Sequence, residues 1–306
     1  MKDNKPTRIK TISEYHRKRG LPSPQHPLIS VIEGCTGVLP DEKVLSNVVL
    51  DFYMIFIKKQ MPSKLKYGQQ QYDFDEGIMF FMAPNQVHGI EISQHQISNP
   101  DGWFLLIHPD FLWNTPLAKQ IKRYEFFDYA VNEALFLSDK EENTINQIVQ
   151  NIKQEYLANI DKFSQGIIIS QIETLLNYAE RFYQRQFITR KISNHQILYQ
   201  LEDLLNDYFN NNETIKKGLP TVQFISEKLN VSPNYLSGLL KALTGQSTQQ
   251  HIHEKLIEKA KEKLSTTNLS VSEIAYELGF EHPQSFNKLF KSKTNLSPLE
   301  FRSSFN

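Results

Sequence analysis

Cysteine is almost absent from this sequence, with Cys35 alone among 306 residues. A single cysteine excludes an intramolecular disulfide, which is consistent with a reducing compartment. The longest apolar stretch, Val48–Ile57, is interrupted by Asp51, whereas a membrane-spanning helix needs about 20 apolar residues. The basic start of the chain is followed by no apolar core, so no signal peptide is predicted. We therefore expect a soluble, cytoplasmic protein.

Net charge is also absent, because 34 lysine and arginine residues balance 34 aspartate and glutamate residues. The balance is uneven along the chain. Residues 213–306 carry 12 basic and 9 acidic side chains, a net charge of +3, and the remaining 22 basic and 25 acidic side chains give −3. An average DNA-binding domain is more basic, so any DNA affinity of the C-terminal part would depend on a few lysines and on helix N-termini.

A pattern that occurs twice dominates the C-terminal part. Residues 225–232 (ISEKLNVS) and 274–281 (IAYELGFE) each predict a short helix, a tight turn and the start of a second helix, 49 positions apart. Each copy has a small residue, Ser226 or Ala275, where the first helix must let the second approach closely. Two ordinary helical hairpins of a bundle would share some of these features, but the duplication in register favours two helix-turn-helix units.

The residues at the two turns support this interpretation. Asn230 and Gly279 stand where the backbone must become left-handed, a conformation that glycine adopts freely and asparagine tolerates. Val231 and Phe280 follow them and are predicted to fill the angle between the helices.

The second helix of each unit is predicted to read DNA, since polar, amide-rich helices suit base edges in the major groove. Ser232 and Pro233 give the first of them a side-chain cap and a proline at its first position. The residues predicted to face the core are Leu236, Leu239, Leu240, Leu243, Phe286, Leu289 and Phe290. The residues predicted to contact DNA are Ser232, Asn234, Tyr235, Ser237, Gly238 and Lys241 in the first unit, and His282, Gln284, Ser285, Asn287, Lys288 and Lys291 in the second.

Residues 249–264 are predicted to form one helix between the units, with apolar side chains at a spacing of four. Sixteen residues at about 1.5 Å each make a rod of roughly 24 Å. Such a rod could hold two recognition helices about one DNA turn apart, roughly 34 Å.

The region from about 193 to 306 resembles the DNA-binding domain of AraC/XylS-type bacterial transcription regulators. The motifs that carry the resemblance lie at residues 231–237, 274–280, 286–291 and 295–302. The resemblance implies an activator of transcription that responds to a small-molecule effector, binds promoter or operator DNA as a homodimer and touches RNA polymerase.

The sequence departs from the family pattern in three places. Leu256 stands where the family often has arginine, so a backbone contact to DNA is absent there. His282 and Pro283 replace the small polar residues that usually begin the second recognition helix, and Asn295 replaces the common glycine.

The N-terminal half has a different pattern. Residues 1–27 are polar and contain four prolines, which predicts an arm or partly ordered lead-in. Residues 28–137 contain β-branched and aromatic runs separated by turn residues, which predicts a sandwich or small barrel. The clearest predicted strands are Leu28–Ile32, Val48–Ile57, Gly77–Met82 and Gly102–Ile107.

Parts of this half resemble, more loosely, the cupin-like sensor domain of the same family. The matching segments are residues 72–77 and 81–88. A metal-binding cupin needs a His-x-His pair, a glutamate and a later histidine, and His88, His95 and His108 are too scattered to supply them. No metal, cofactor or catalytic residue is therefore predicted.

A small barrel rich in aromatic side chains could enclose one effector molecule. Phe52, Tyr53, Phe80 and Trp103 are candidates to line such a cavity. Aromatic residues at alternating strand positions are more often ordinary core, so no effector-binding residue is assigned.

Helical signals begin at Ser138, which forms a predicted capping box with Glu141. A second helix is predicted over Ser164–Arg185, and the pair of helices either covers the barrel or forms a dimer seam. Residues 188–192 are the predicted linker, and Ser193–Gln196 is a second predicted capping box. Further boxes are predicted from Ser270 to Glu273 and from Ser297 to Glu300.

The sequence thus predicts an α+β protein of two domains, a cupin-like β-sandwich or barrel with a helical hairpin and an all-α domain with two helix-turn-helix units. The predicted ranges are 1–27 for the arm, 28–187 for the sensor and dimerisation domain, 188–192 for the linker and 193–306 for the DNA-binding domain. The predicted function is a sequence-specific transcription regulator. Two alternatives stay open, a cupin-type metal enzyme with a helical appendage and a dimeric regulator without an effector.

Overall fold

The computed structural model describes residues 6–34, 48–58, 65–67, 70–72, 77–88, 102–130, 133–158, 161–189, 191–211 and 213–304. The chain divides into two compact units, residues 1–186 and 187–306. The first unit is rich in strands, and the secondary structure described for the second is helical. This confirms the predicted α+β class with its β-rich N-terminal and helical C-terminal regions.

The first unit contains ten described strands in three sheets. The largest sheet is antiparallel, in the order β10-β7-β4-β9-β2, and the others have the orders β1-β3-β8 and β5-β6. The strands are β1 Thr7–Ile9, β2 Ile29–Glu33, β3 Val48–Leu50, β4 Tyr53–Lys58, β5 Leu65–Tyr67, β6 Gln70–Tyr72, β7 Gly77–Met82, β8 Val87–His88, β9 Gly102–Ile107 and β10 Leu135–Leu137.

The single strand predicted over Val48–Ile57 is two strands that belong to different sheets. The chain bends at Asp51 and Phe52. The Asp51 carboxylate forms an ion pair with the Arg8 guanidinium at 2.7 Å, and the Phe52 ring is fully buried. An ion pair with a distant residue carries no periodic signal, so the apolar pattern alone predicted one continuous strand.

The predicted N-terminal arm is wrong for residues 7–18, which form β1 and helix α1 (Ile12–Lys18). β1 pairs in parallel with β3, and Ile12 and Tyr15 are buried. The Tyr15 ring stands edge-on to Phe52 with ring centroids 5.9 Å apart. The polar composition of this segment concealed its few apolar side chains, each of which enters the core of the first unit.

Three further described α-helices follow α1, namely α2 Leu117–Gln120, α3 Asp139–Leu157 and α4 Ser164–Thr189, and the last three residues of α4 belong to the second unit. Short 3₁₀ helices lie at Pro109–Leu112, Ile121–Arg123 and Glu125–Asp128. The capping box at Ser138 is confirmed, since the Ser138 amide donates to the Glu141 carboxylate at 2.9 Å.

The linker predicted at residues 188–192 is helical where it is described. Helix α4 runs on to Thr189, and helix α5 (Lys191–Asn210) begins two residues later. The capping box predicted at Ser193 to Gln196 is also wrong, because α5 has already begun at Lys191.

Side chains near the end of α4 explain why this helix continues. Gln186 accepts a hydrogen bond from the Phe136 amide at 2.8 Å and donates one to the Ala134 carbonyl at 3.1 Å. Arg185 donates to the Phe136 carbonyl at 2.6 Å and forms an ion pair with Glu141 at 2.7 Å. These contacts occupy the open edge of β10, where another strand would otherwise pair. Arg185 and Gln186, directly before the predicted linker, therefore support the edge of the sheet.

The second unit contains the rest of the helices around one apolar core. They are α6 Glu213–Lys217, α7 Val222–Leu229, α8 Pro233–Thr244, α9 Thr248–Thr266, α10 Val271–Glu277, α11 Pro283–Thr294 and α12 Pro298–Ser303. The capping boxes at Ser270 and Ser297 are confirmed. Among the described residues, no helix of the chain combines the length and apolarity that crossing a bilayer requires.

Helix α9 is the predicted connector between the two units of the repeat. Its 19 residues make a rod of about 28 Å. Ile252, Leu256, Ala260 and Leu264 form its buried face, as the spacing predicted. Leu256 is fully buried in this core, which accounts for an apolar residue at the position where the family often has arginine.

Candidate nucleic-acid interface

The first predicted helix-turn-helix unit is formed by α7 and α8. Asn230 adopts the left-handed conformation with φ 55°, and the Val231 amide donates to the Ser226 carbonyl at 3.1 Å. This is the hydrogen-bond pattern that ends a helix at a left-handed residue. Ser226 is buried, with 1% of its surface exposed, so the first helix presents a small side chain where the second packs, as predicted.

The second unit repeats this geometry in α10 and α11. Gly279 has φ 88°, and the Phe280 amide donates to the Ala275 carbonyl at 3.0 Å. Ala275 is fully buried in the position that Ser226 occupies in the first unit. The two turns therefore use the same backbone device with different residues, as the duplicated motif predicted.

The second turn has a support that the sequence analysis did not predict. The α6 region lies so close that a Cβ atom on Gly279 would stand 2.8 Å from the Gly218 carbonyl carbon and 3.0 Å from the Thr214 carbonyl oxygen. The Thr214 hydroxyl donates to the Glu277 carbonyl at 2.7 Å, and the Tyr208 hydroxyl donates to the Gly218 carbonyl at 3.0 Å. The only signal in the sequence is Gly218 itself, shortly before α7.

The predicted DNA-contacting residues of the first unit lie on α8 or at its start. Ser232 caps the helix and accepts a hydrogen bond from the Tyr235 amide at 3.2 Å. Asn234 and Ser237 are half-buried and Lys241 is exposed.

Two of the predicted contacts on α8 are buried, although they were expected on the exposed side. Tyr235 keeps 8% of its surface exposed, because its ring packs edge-on against Phe187 with ring centroids 5.2 Å apart. Gly238 is also buried and has no side chain with which to reach a base. Helical spacing identified the core leucines correctly, but it could not reveal that an aromatic residue far away in sequence covers Tyr235.

The predicted contacts of the second unit lie on or beside α11, and all of them are exposed. These residues are His282, Gln284, Ser285, Asn287, Lys288 and Lys291. Phe286 and Phe290 are fully buried on the opposite side of the helix. The amide and ammonium groups of α11 therefore point away from the core, in an arrangement that suits contact with base edges and phosphates.

Charge is distributed differently on the connector and on the recognition helices. On α9, Lys255 pairs with Glu258 at 2.8 Å and Lys259 with Glu262 at 2.8 Å, and Lys263 pairs with Glu277 of α10 at 2.6 Å. Within the described part of the chain, the lysines that form no salt bridge include Lys241, Lys288, Lys291 and Lys293. Of these four lysines, Lys241 lies on α8 and the other three lie on α11, so both helices carry positive charge that no carboxylate of the described residues pairs with.

The start of α11 lacks a side-chain cap. His282 occupies the capping position with no side-chain hydrogen bond to the helix, whereas Ser232 caps α8. We expect His282→Ser to stabilise the protein by about 0.5–2 kcal/mol, because serine can accept a hydrogen bond from an exposed helix amide. Ser232→Ala should destabilise the protein by a similar amount, because alanine cannot cap α8. Urea unfolding followed by circular dichroism measures both changes. A destabilised His282→Ser variant would contradict the assignment of residue 282 as the capping position of α11.

The histidines weighed as metal ligands form no such site in the described residues. There, no group of three or more His, Cys, Asp or Glu side chains lies close enough together to hold a metal ion. His108 instead accepts a hydrogen bond from the Asp110 amide at 3.3 Å. Cys35 and His95 lie outside the described residues, as does most of the segment 72–77 that resembles a cupin.

Residues 225–304 match the family model described as a helix-turn-helix domain. The chain is 27% identical over 243 residues to the uncharacterized HTH-type transcriptional regulator YfiF of Bacillus subtilis, covering 77% of this chain and 72% of that protein. It is 36% identical over 84 residues to the raffinose operon transcriptional regulatory protein RafR of Pediococcus pentosaceus, covering 28% of this chain and 30% of the relative.

Among solved structures, the chain is similar to the C-terminal domain of AraT, a response regulator from Geobacillus stearothermophilus. That match has 30% identity and a TM-score of 0.31, and covers 35% of this chain and 84% of the other. ToxT from Vibrio cholerae is matched over 90% of this chain and 98% of its own, with 14% identity and a TM-score of 0.30. The family match and the HTH-type relatives identify the C-terminal unit as an AraC-type helix-turn-helix domain and the chain as a DNA-binding transcriptional regulator.

Proposed function

We propose that α8 and α11 enter two successive major-groove segments of operator DNA and read bases there. The observation that carries this proposal is the repeated geometry, in which a left-handed turn residue and a buried small residue hold each recognition helix against its partner helix. Helix α9, which connects the two helix-turn-helix units, is about 28 Å long, a length of the order of one DNA turn.

The exposed side chains suit this role chemically. Asparagine and glutamine can form paired hydrogen bonds with adenine, and lysine can contact guanine or phosphate. Asn234, Gln284 and Asn287 are the proposed base readers, and Lys291 is the proposed phosphate anchor. An intracellular location follows, because the ligand is chromosomal DNA.

Fluorescence anisotropy with duplex DNA from upstream of the protein's own gene tests this proposal. Wild-type protein should bind tightly in the presence of competitor DNA, and the double variant Asn234→Ala, Asn287→Ala should lose about 100-fold or more in affinity if each residue makes one good base contact. Gln200→Ala, on the exposed surface of α5, is the matched control and should bind like wild type. Sequence-indifferent binding by wild-type protein, with candidate effectors present as well as absent, would contradict the proposal.

We further propose that the first unit, with a cupin-like fold, binds a small-molecule effector that changes DNA affinity. Support comes from a row of phenylalanine rings across the large sheet, with Phe56 stacked on Phe80 at 4.7 Å and on Phe104 at 5.1 Å. Phe56 and Phe104 are only half-buried, which leaves apolar surface on this face. By contrast, all four of the residues considered as lining are buried, namely Phe52, Tyr53, Phe80 and Trp103.

Effector and DNA affinities must then be linked, each changing the other by the same factor. Titration of a candidate effector into free and DNA-bound protein measures this factor. Equal effector affinities in the two titrations would contradict this linkage between effector and DNA binding and would favour a regulator without an effector.

We also propose that the chain acts as a homodimer that packs through the exposed face of α4. Ile167 is 45% exposed on this face, and Phe163, in the turn just before the helix, is 61% exposed. Further along it, the Ser170 hydroxyl donates to the Ile167 carbonyl and the Thr174 hydroxyl to the Ser170 carbonyl, both at 2.8 Å. Because the helix itself satisfies these hydroxyls, the face can pack against a second copy without losing hydrogen bonds to water.

Introducing a charge on this face tests the dimer. We expect Ile167→Glu to shift the protein from dimer to monomer in sedimentation equilibrium, since a carboxylate would be buried without a partner. Gln184→Glu adds the same charge at an exposed position on another side of α4 and should leave the dimer intact. A wild-type monomer, or a dimer that Ile167→Glu leaves unchanged, would contradict the proposal.

The proposed regulatory effect is activation through contact with RNA polymerase, as the resemblance implies. Transcription in vitro from a promoter that the protein binds should rise when the protein is added. A fall in transcript would identify a repressor.

A further inference from the structure

The two recognition helices are related by an offset of 50 residues, which pairs their DNA-facing positions one to one. On α11 the exposed residues Gln284, Asn287, Lys288 and Lys291 recur at spacings of three, four and seven, so they share one face of the helix. The face lies opposite Phe286 and Phe290, which are fully buried. The corresponding residues of α8 are Asn234, Ser237, Gly238 and Lys241.

We propose that the two helices contribute unequally to DNA binding, with α11 supplying most of the base specificity and most of the attraction to phosphates. This inference rests on the proposed function and assigns the two parts of the operator different roles. Base changes in the DNA segment that contacts α11 should lower affinity strongly, and base changes in the segment that contacts α8 should be tolerated.

The chemistry of the paired positions carries the inference. An asparagine can form two hydrogen bonds with adenine, whereas the serine at its paired position can form fewer and accepts either partner, so Asn287 discriminates where Ser237 does not. Lys288 carries a charge where Gly238 has no side chain. At these two positions α11 has a base reader and a cation that α8 lacks.

The burial of the paired positions points the same way. Ser285 is exposed, whereas its counterpart Tyr235 is 8% exposed and packs against Phe187. Lys288 is exposed, whereas its counterpart Gly238 is buried. The face of α11 is uncovered along its length, and the corresponding face of α8 is partly covered within the folded chain.

Charge supplies an independent argument. In the described residues, α11 has three exposed lysines without a salt bridge, Lys288, Lys291 and Lys293, and α8 has one, Lys241. Each phosphate contact contributes about 0.9 to the slope of log affinity against log salt concentration. Most of the salt dependence of binding should therefore come from α11.

The test begins with selection of DNA by the full-length protein from a pool of random 30-base-pair duplexes. The expected product is a motif with one strictly specified segment and one loosely specified segment, about 10 base pairs apart. The recovered duplex is then the probe for affinity measurements with two matched double variants. One is Asn287→Ala with Lys288→Ala on α11, and the other is Ser237→Ala with Lys241→Ala on α8.

We expect the α11 variant to lose about 30-fold or more in affinity and to select DNA that has lost the strict segment. The α8 variant should lose less than about tenfold and should keep that segment. The salt slope should fall by about 1 in each variant, because each has lost one cation, so a difference in specificity between them reports the base readers. Circular dichroism spectra identical to wild type would show that both variants are folded.

Two results would overturn the inference while leaving DNA reading in place. They are a motif with two equally strict segments, and loss of the strict segment in the α8 variant. Failure of wild-type protein to enrich any motif, with or without candidate effectors, would instead overturn the proposed function and this inference with it.

Discussion

Gly279→Ala is expected to destabilise the helical unit by about 2–5 kcal/mol. The φ of 88° costs an alanine roughly 1–2 kcal/mol relative to glycine. The new Cβ would also stand 2.8 Å from the Gly218 carbonyl carbon and 3.0 Å from the Thr214 carbonyl oxygen, and neither backbone atom can move as a flexible side chain could. Forced overlap in a packed site typically costs a further 1–3 kcal/mol.

Urea unfolding monitored by far-ultraviolet circular dichroism measures the effect, because the second unit is helical. Asn230→Gly at the matched turn of the first helix-turn-helix unit is the control, since φ 55° suits glycine, and its effect should stay within about 1 kcal/mol. Equal stabilities of Gly279→Ala and wild type would contradict the close packing of the second turn against the Gly218 and Thr214 backbone.

Gln186→Ala is expected to destabilise the first unit by about 2–4 kcal/mol. The variant leaves the Phe136 amide and the Ala134 carbonyl without their partners, and both lie in a buried environment. An orphaned buried polar group costs about 1–3 kcal/mol. Loss of the contact also exposes the edge of β10, which Gln186 and Arg185 cover together.

Tryptophan fluorescence is the appropriate probe, because Trp103 and Trp113 are the only tryptophans of the chain and both lie in the first unit. Gln184→Ala, two residues earlier and exposed, is the matched control and should change the free energy of unfolding by less than about 0.5 kcal/mol. Should Gln186→Ala and Gln184→Ala unfold at the same urea concentration, the hydrogen bonds of Gln186 would have no structural role.

The helical half was largely predictable because its signals are local. Capping boxes, a left-handed turn residue and apolar side chains at helical spacing each lie within a few residues, and Ser270, Asn230 and Leu236 occupy the places that these rules gave them. The duplication added a second, independent copy of each signal.

The errors arose where distant residues decide the structure. Asp51 breaks a strand because it meets Arg8, and α4 continues because Gln186 binds the edge of β10. Neither partner lies near in sequence, so no spacing rule could reveal the contact.

The candidate site shows the same division. Helical periodicity correctly predicted the exposed side of α11, where all six predicted contacts of the second unit are exposed, but two of the predicted contacts on α8 are buried. The burial of Tyr235 depends on Phe187, 48 positions earlier, and the close fit of Gly279 depends on Gly218. Contacts between residues far apart in sequence therefore determine the burial of Tyr235 and the packing of the second turn.

Methylation protection of guanines by the full-length protein on a selected duplex tests the central claim most directly, because the guanine N7 atom lies in the major groove. Two helices in successive major-groove segments should protect two groups of guanines whose centres lie about 10 base pairs apart on one face of the DNA. Protection confined to one segment, or spread evenly along the duplex, would contradict the account.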